Sequence, residues 1–183
     1  MNTQQGLTPY ELLQHIQARS QAKAFGLPQK TEVRRTWSGV GFRFGDHYLV
    51  VPMGEIAEIL EYPELTRVPH AKPWVLGIAN IRGSLLTVID LNGFIEGKNT
   101  KLSRNSRVLV TQQENMSSGL LVDEVLGMRH FFEEEKLPDT SEFKDTLRPF
   151  LNDGYRQGDQ EWGVFSMYKL IDNPGFMEVA GRS

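Results

Sequence analysis

The chain has 183 residues, no cysteine, 39% apolar residues and a formal net charge of −3. At that length one domain or two small fused lobes is expected, and folding should bury roughly 70% of the surface that the unfolded chain exposes, enough for a core without cross-links. Disulfide frameworks, zinc ribbons, thiol nucleophiles and CxxC redox sites are excluded. The N-terminal residues lack a basic start followed by an apolar block, and no window approaches about 18 consecutive apolar residues, so a soluble, cytoplasmic chain without membrane insertion is expected. Charge is unevenly placed. Residues 1–36 hold five Lys/Arg against two Asp/Glu, giving +3, and residues 37–183 hold fifteen against twenty-one, giving −6.

In chain order, Leu7-Thr8-Pro9-Tyr10-Glu11-Leu12 is a helix-start signal. Thr8 can cap, Pro9 suits the first helical position, Glu11 completes a capping box and Leu7 can staple against Leu12. A helix over residues 9–24 places Leu12, Leu13 and Ile16 on one stripe, with Gly26 and Pro28 ending it. That stripe could pack on the rest of the chain or recruit a partner. Packing in cis is preferred, because a free helix of this length is marginal in water. Residues 28–35 read as a linker, so the expected division is 1–36 for the arm and 37–180 for the main domain.

From Trp37 onward short apolar runs alternate with turn residues, the pattern of a mainly β chain. Val40, Phe42 and Phe44 alternate, and Gly45-Asp46 separates them from residues 47–51, which predicts a hairpin. Residues 53–60 fit helix and strand equally. Pro73 at the front, with Trp74, Ile78 and Ile81 on one side, predicts a short helix over 73–81. Strands are predicted over 85–91, 107–111 and 120–128, the last two joined by a polar turn at 112–118. Beyond Arg129 the chain becomes acidic and irregular until a β-like run at 162–170.

No catalytic constellation emerges. His15, His47, His70 and His130 lack HExxH spacing and a second ligand at i+3 or i+4, so they read as isolated surface histidines. Gly39-Val40-Gly41 has Phe44 where a dinucleotide loop needs its third glycine, and it lies in a predicted strand. Residues 93–99 miss the phosphate-loop spacing, and no GxSxG elbow is present. Glu133-Glu134-Glu135 reads as a solvated surface. The chain is therefore expected to be no enzyme and to need no metal or cofactor. A small β-barrel that binds nucleic acid is the remaining alternative from another class, but such barrels use basic grooves and the main domain here is acidic.

Two stretches carry a resemblance: Gly77-Ile78-Ala79-Asn80-Ile81-Arg82-Gly83-Ser84-Leu85-Leu86-Thr87-Val88-Ile89-Asp90-Leu91, and Gly119-Leu120-Leu121-Val122-Asp123-Glu124-Val125. Together they resemble the GVxNLRGxxxPVIDL and GLLVDxV motifs of the CheW family, adaptors of bacterial chemosensory arrays. Phe44-Gly45-Asp46, Glu58-Ile59-Leu60, Leu65-Thr66-Arg67-Val68-Pro69 and Arg107-Val108-Leu109-Val110 follow in family order. The resemblance spans residues 39–172. Thr87 stands where the family commonly has Pro, and the match loosens after Arg129. The N-terminal extension, the Trp37 to Arg43 entry and Gln160-Glu161-Trp162 look further like the CheW-like proteins of type IV pilus chemosensory systems. A flagellar-type adaptor is the near alternative.

The resemblance implies two intertwined five-stranded SH3-like β-barrels behind an N-terminal α-helix. It implies two partners, the cytoplasmic tip of a chemoreceptor and the regulatory domain of a CheA-type histidine kinase, reached from the cytoplasm at membrane-bound receptor arrays. The partner-binding residues it implies are Ile56, Glu58, Gly77, Asn80, Arg82, Gly83, Val88 and Val125. Asn80 and Gly83 both tolerate positive φ and suit a chain leaving a helix for a strand. Arg82 between them offers a planar fork of donors, and by family position Glu58 is its intramolecular partner. Ile56, Val88 and Val125 could face a groove or the core, and Asp123 reads as structural, bonding to nearby backbone.

Overall fold

A computed structural model describes residues 10, 13–14, 36–113 and 116–177. Tyr10, Leu13 and Gln14 are helical; Leu12, Ile16 and the rest of the predicted N-terminal helix and linker lie outside the described residues. The remainder is built from ten strands: β1 (Thr36–Phe44), β2 (His47–Pro52), β3 (Glu58–Glu61), β4 (Val75–Ile81), β5 (Ser84–Asp90), β6 (Arg107–Gln113), β7 (Met116–Val122), β8 (Glu124–Phe132), β9 (Leu151–Gln157) and β10 (Gln160–Phe165). Three short helices complete it: α1 (Leu91–Glu96), α2 (Met167–Ile171) and α3 (Pro174–Met177).

The strands form two five-stranded sheets with orders β8-β1-β2-β10-β9 and β3-β6-β7-β5-β4. In each, one parallel pair, β2 with β10 or β7 with β5, sits among antiparallel pairs. Read as β8-β9-β10-β1-β2 and β3-β4-β5-β6-β7, the two sheets have the same spatial order and the same strand senses. The second barrel is continuous in sequence, and the first is the same design cut open and shared between both ends of the described chain.

Both sheets curl until their edges meet. In the second, the chain leaving edge strand β3 returns to the opposite edge through the bridge Thr66↔Ile78. In the first, Lys136↔Tyr155 does the same after β8, and Gln157 Nε2 donates to the His130 carbonyl at 2.7 Å. Each bridge pairs part of an exposed edge and so shortens the unsatisfied ladder that would template aggregation.

Burial explains why so many strands read as continuous apolar runs. Leu49 and Val51 enter a cluster shared by both sheets, together with Phe42, Ile89, Leu109 and Leu120, while Val50 faces a separate aromatic core with Phe131, Tyr155 and Trp162. In the second sheet Val88, Val108, Val110 and Leu121 fill a private core, with Leu86 and Ala79. Strands buried on both faces lose the apolar/polar alternation.

The hairpin at residues 40–51 forms as predicted, across Phe44↔His47. Other elements differ. Residues 75–81 form strand β4 instead of the predicted helix: Ile78 and Ile81 are β-branched and lie half-buried on opposite faces of the strand, a spacing that mimics a helical one, while the buried Gly77 and Ala79 share one face; Trp74 lies just outside it against Phe94 and Phe176. The ambiguous residues 53–60 divide into a 3-10 turn (Met53–Glu55) and β3. The strand predicted over 120–128 is two strands, broken at Asp123 where the chain crosses between sheets, and the preceding turn is narrower than predicted. Strands predicted to run to Leu91 and Leu170 stop earlier. Asp90 accepts from Gly93 N to start α1, and Ser166 accepts from Lys169 N to start α2. Strand β9 was not predicted; its Asn152-Asp153-Gly154 lacks an apolar run.

Candidate partner-binding site

The β4–β5 hairpin closes on the two residues Arg82 and Gly83, with Ile81 paired to Ser84. Both have positive φ, 52° and 86°, the requirement of the tight hairpin turn whose twist matches that of its strands. Gly83 adopts this without cost, but an arginine there is unusual. Asn80 Oδ1 accepts a hydrogen bond from Gly83 N at 2.9 Å, bracing the turn from inside the strand. Asn80 thus acts through its side chain and not through positive φ, and the chain arrives from a strand instead of a helix.

From this turn Arg82 Nη2 reaches Glu58 Oε1 at 2.7 Å. Glu58 opens β3, one edge of the sheet, while Arg82 follows β4, the other edge, so this ion pair lies across the seam of the closed barrel. The Arg82 side chain is 80% exposed and that of Glu58 32%. A pair so exposed contributes only about 0–1 kcal/mol to stability. Beside it opens a cavity of about 330 Å³, lined on its apolar side by Leu60, Ile81, Leu85 and Leu86, with Gln112 and Ser117 among its polar groups. Leu85 is 71% exposed. Sequence reading missed Leu85 as a surface group; the available signal was a leucine opposite the polar Asn80, two residues beyond Gly83.

The other residues implied by the resemblance divide sharply. Ile56 and Val125 are half-buried and pack against the shared cluster. Val88 is fully buried in the core of the second barrel, so its side chain cannot touch a partner, and its assignment to the binding surface is corrected to packing. Gly77 is also buried, at φ 150°, and a Cβ there would lie 2.6 Å from the Thr66 carbonyl oxygen. It permits the barrel-closing bridge and presents nothing outward. Asp123 Oδ2 accepts from Gly45 N at 2.6 Å, and its own N–H donates to the Arg43 carbonyl, pinning the crossover between the sheets.

A second polar cluster joins distant segments. Glu96, at the end of α1, accepts from Thr146 Oγ1 at 3.0 Å and Lys144 Nζ at 3.3 Å, and lies 4.0 Å from His47 Nε2. Burial works against the Glu96 charge, but the bonds from Thr146 and Lys144 and the charges of Lys144 and His47 outweigh it and hold its carboxyl below the ordinary value. Burial first, then Lys144, pushes the His47 imidazole below its ordinary 6.5. His47 is therefore neutral at pH 7 and not the surface residue expected, because the turn beside it packs the ring against Phe44. His70 and His130 are exposed, as expected. Among the described residues no group of three His, Asp or Glu is placed to hold a metal, and no helix is long and apolar enough to cross a membrane.

Two permuted barrels, one with a braced Arg-Gly turn at its seam, are the architecture of a CheW-like scaffold. The chain belongs to the CheW family: the family model for the CheW-like domain matches residues 38–174. It is 42% identical over 177 residues to protein PilI of Pseudomonas aeruginosa, covering 94% of this chain and 97% of that one. Over shorter stretches it is 31% identical to protein FrzA of Myxococcus xanthus (53% of this chain, 61% of that one) and 33% identical to chemotaxis protein CheW of Rhizobium meliloti (47% and 56%). The fold is also that of the scaffolding protein TtCheW from Thermoanaerobacter tengcongensis, with a TM-score of 0.66 at 19% identity, over 77% of this chain and 96% of that one.

Proposed function

We propose that this chain couples the cytoplasmic tip of a chemoreceptor to the regulatory domain of a CheA-type histidine kinase, working at membrane-bound receptor arrays in a type IV pilus chemosensory pathway. The observation that carries the reading is Arg82. Its guanidinium is held in an unusual backbone conformation, beside an open cavity, by an ion pair too exposed to explain its presence through stability. A planar fork of donors next to apolar walls suits carboxylates or carbonyls presented at a helical tip. The pilus assignment rests on the near full-length similarity to PilI, which extends beyond the CheW-like domain. Matches to CheW proteins of chemotaxis support a flagellar-type adaptor as the second reading, over about half of the chain.

Such a scaffold transmits a signal without chemistry, and it does so only if its contacts differ between the receptor's two states. Arg82→Glu reverses the charge at an exposed position and should weaken binding to a soluble receptor-tip hairpin about tenfold or more while leaving the fold intact. Unchanged affinity in the folded variant would sink the reading. Deletion of the gene should abolish surface twitching and spare swimming; the opposite outcome selects the flagellar reading.

A further inference from the structure

We infer that Asn80 is a positioning residue, which sets the aim of Arg82 for partner binding by locking the turn behind it. The inference rests on the proposed role of Arg82 and goes beyond it.

Arg82 has little else to fix its direction. The side chain is 80% exposed, so no core holds it, and its backbone at φ 52° is in a region that arginine leaves readily when unconstrained. Besides the β4–β5 ladder, which closes at Ile81 and Ser84, two side-chain contacts restrain the turn. One is the bond from Arg82 to Glu58, which any partner carboxylate would compete for. The other is the bond from Gly83 N–H to the Asn80 side-chain carbonyl, which a partner of Arg82 leaves in place. Asn80 therefore remains as the restraint when Arg82 exchanges Glu58 for a partner group. Pre-organised donors lose less freedom on binding than flexible ones, so a braced turn should bind more tightly than a loose one bearing the same arginine.

Asn80 is itself exposed and paired across the strand with Leu85, at the edge of the cavity. Its side chain has no other hydrogen bond among the described residues, so removing it should affect the turn and little of the core. An aspartate retains the accepting oxygen and an alanine does not.

The test is a double-mutant cycle on the full chain, with binding to a soluble receptor-tip hairpin measured by calorimetry alongside the urea midpoint. Asn80→Ala should weaken binding about tenfold in the wild-type background and have no further effect in Arg82→Ala, because it acts only through that side chain. Asn80→Asp should retain affinity within about twofold, since the bond to Gly83 N–H survives. A purely structural role would weaken binding equally in both backgrounds, and that result overturns the inference. So does unchanged binding in Asn80→Ala when Arg82→Ala is impaired. If Arg82→Ala itself binds normally, the functional reading fails and the inference falls with it. Should Asn80→Ala not fold, loss of binding in a folded Asn80→Asp overturns the inference and retention supports it.

Discussion

Arg82 is where local stability and function oppose each other. A left-handed arginine costs about 1–2 kcal/mol relative to its preferred backbone, while a glycine adds unfolded-state freedom, so Arg82→Gly should raise stability by roughly 0.5–1 kcal/mol. The same change removes the guanidinium and should weaken receptor-tip binding about tenfold. A higher urea midpoint with weakened receptor-tip affinity is the expected pair of results. A lower midpoint would show that the contact with Glu58 outweighs the backbone cost. The sequence motif points to this residue, but not to its geometry: of Asn80 and Gly83, the two expected to tolerate positive φ, only Gly83 adopts it, and Arg82 takes the other such position.

Among elements, the end of α1 is tied to the β1–β2 turn and the 144–146 segment by the Glu96 cluster, and the tie should be sensitive to acid. The folded chain holds His47 below its ordinary 6.5, so as pH falls through that value the unfolded chain takes up the proton first and stability drops. Glu96 adds a second loss in the same direction, beginning below its ordinary 4.5. Between pH 7.5 and 5.5 the urea midpoint of the wild type should fall, and in His47→Asn the slope should flatten whatever the offset; parallel slopes would remove His47 as the cause. None of this cluster was legible in the sequence, since His47, Glu96 and Lys144 are far apart in it. Hairpin 40–51 was legible because a turn signal separated two apolar runs. Strand β4 escapes the sequence because Ile78 and Ile81, three residues apart, suggest a helical period although they lie on opposite faces of the strand, and β9 escapes it because exposed Asn152, half-buried Asp153 and Gly154 leave no apolar run. At the site, the motif pointed to Glu58, Asn80, Arg82 and Gly83, which converge; it could not separate them from Val88, whose buried side faces inward.

At the scale of the molecule, the continuous barrel uses residues 58–122, whereas its counterpart needs β1 and β2 from before that span and β8 to β10 from after it. During synthesis the inserted barrel therefore has all of its strands while the split one still has only a hairpin. A two-stranded hairpin is marginal in water, and this one carries apolar groups on both faces, among them Phe42, Leu49 and Val50. Tension measured on ribosome-bound nascent chains should show one folding event after residue 122 emerges and a second only after β10 and α2 do. A single event at the end would mean that the shared cluster makes the barrels fold as one. Until the ribosome delivers the last strands, β1 and β2 must wait with open edges, and a cell that stalls in that interval holds a chain suited to chaperone capture or aggregation.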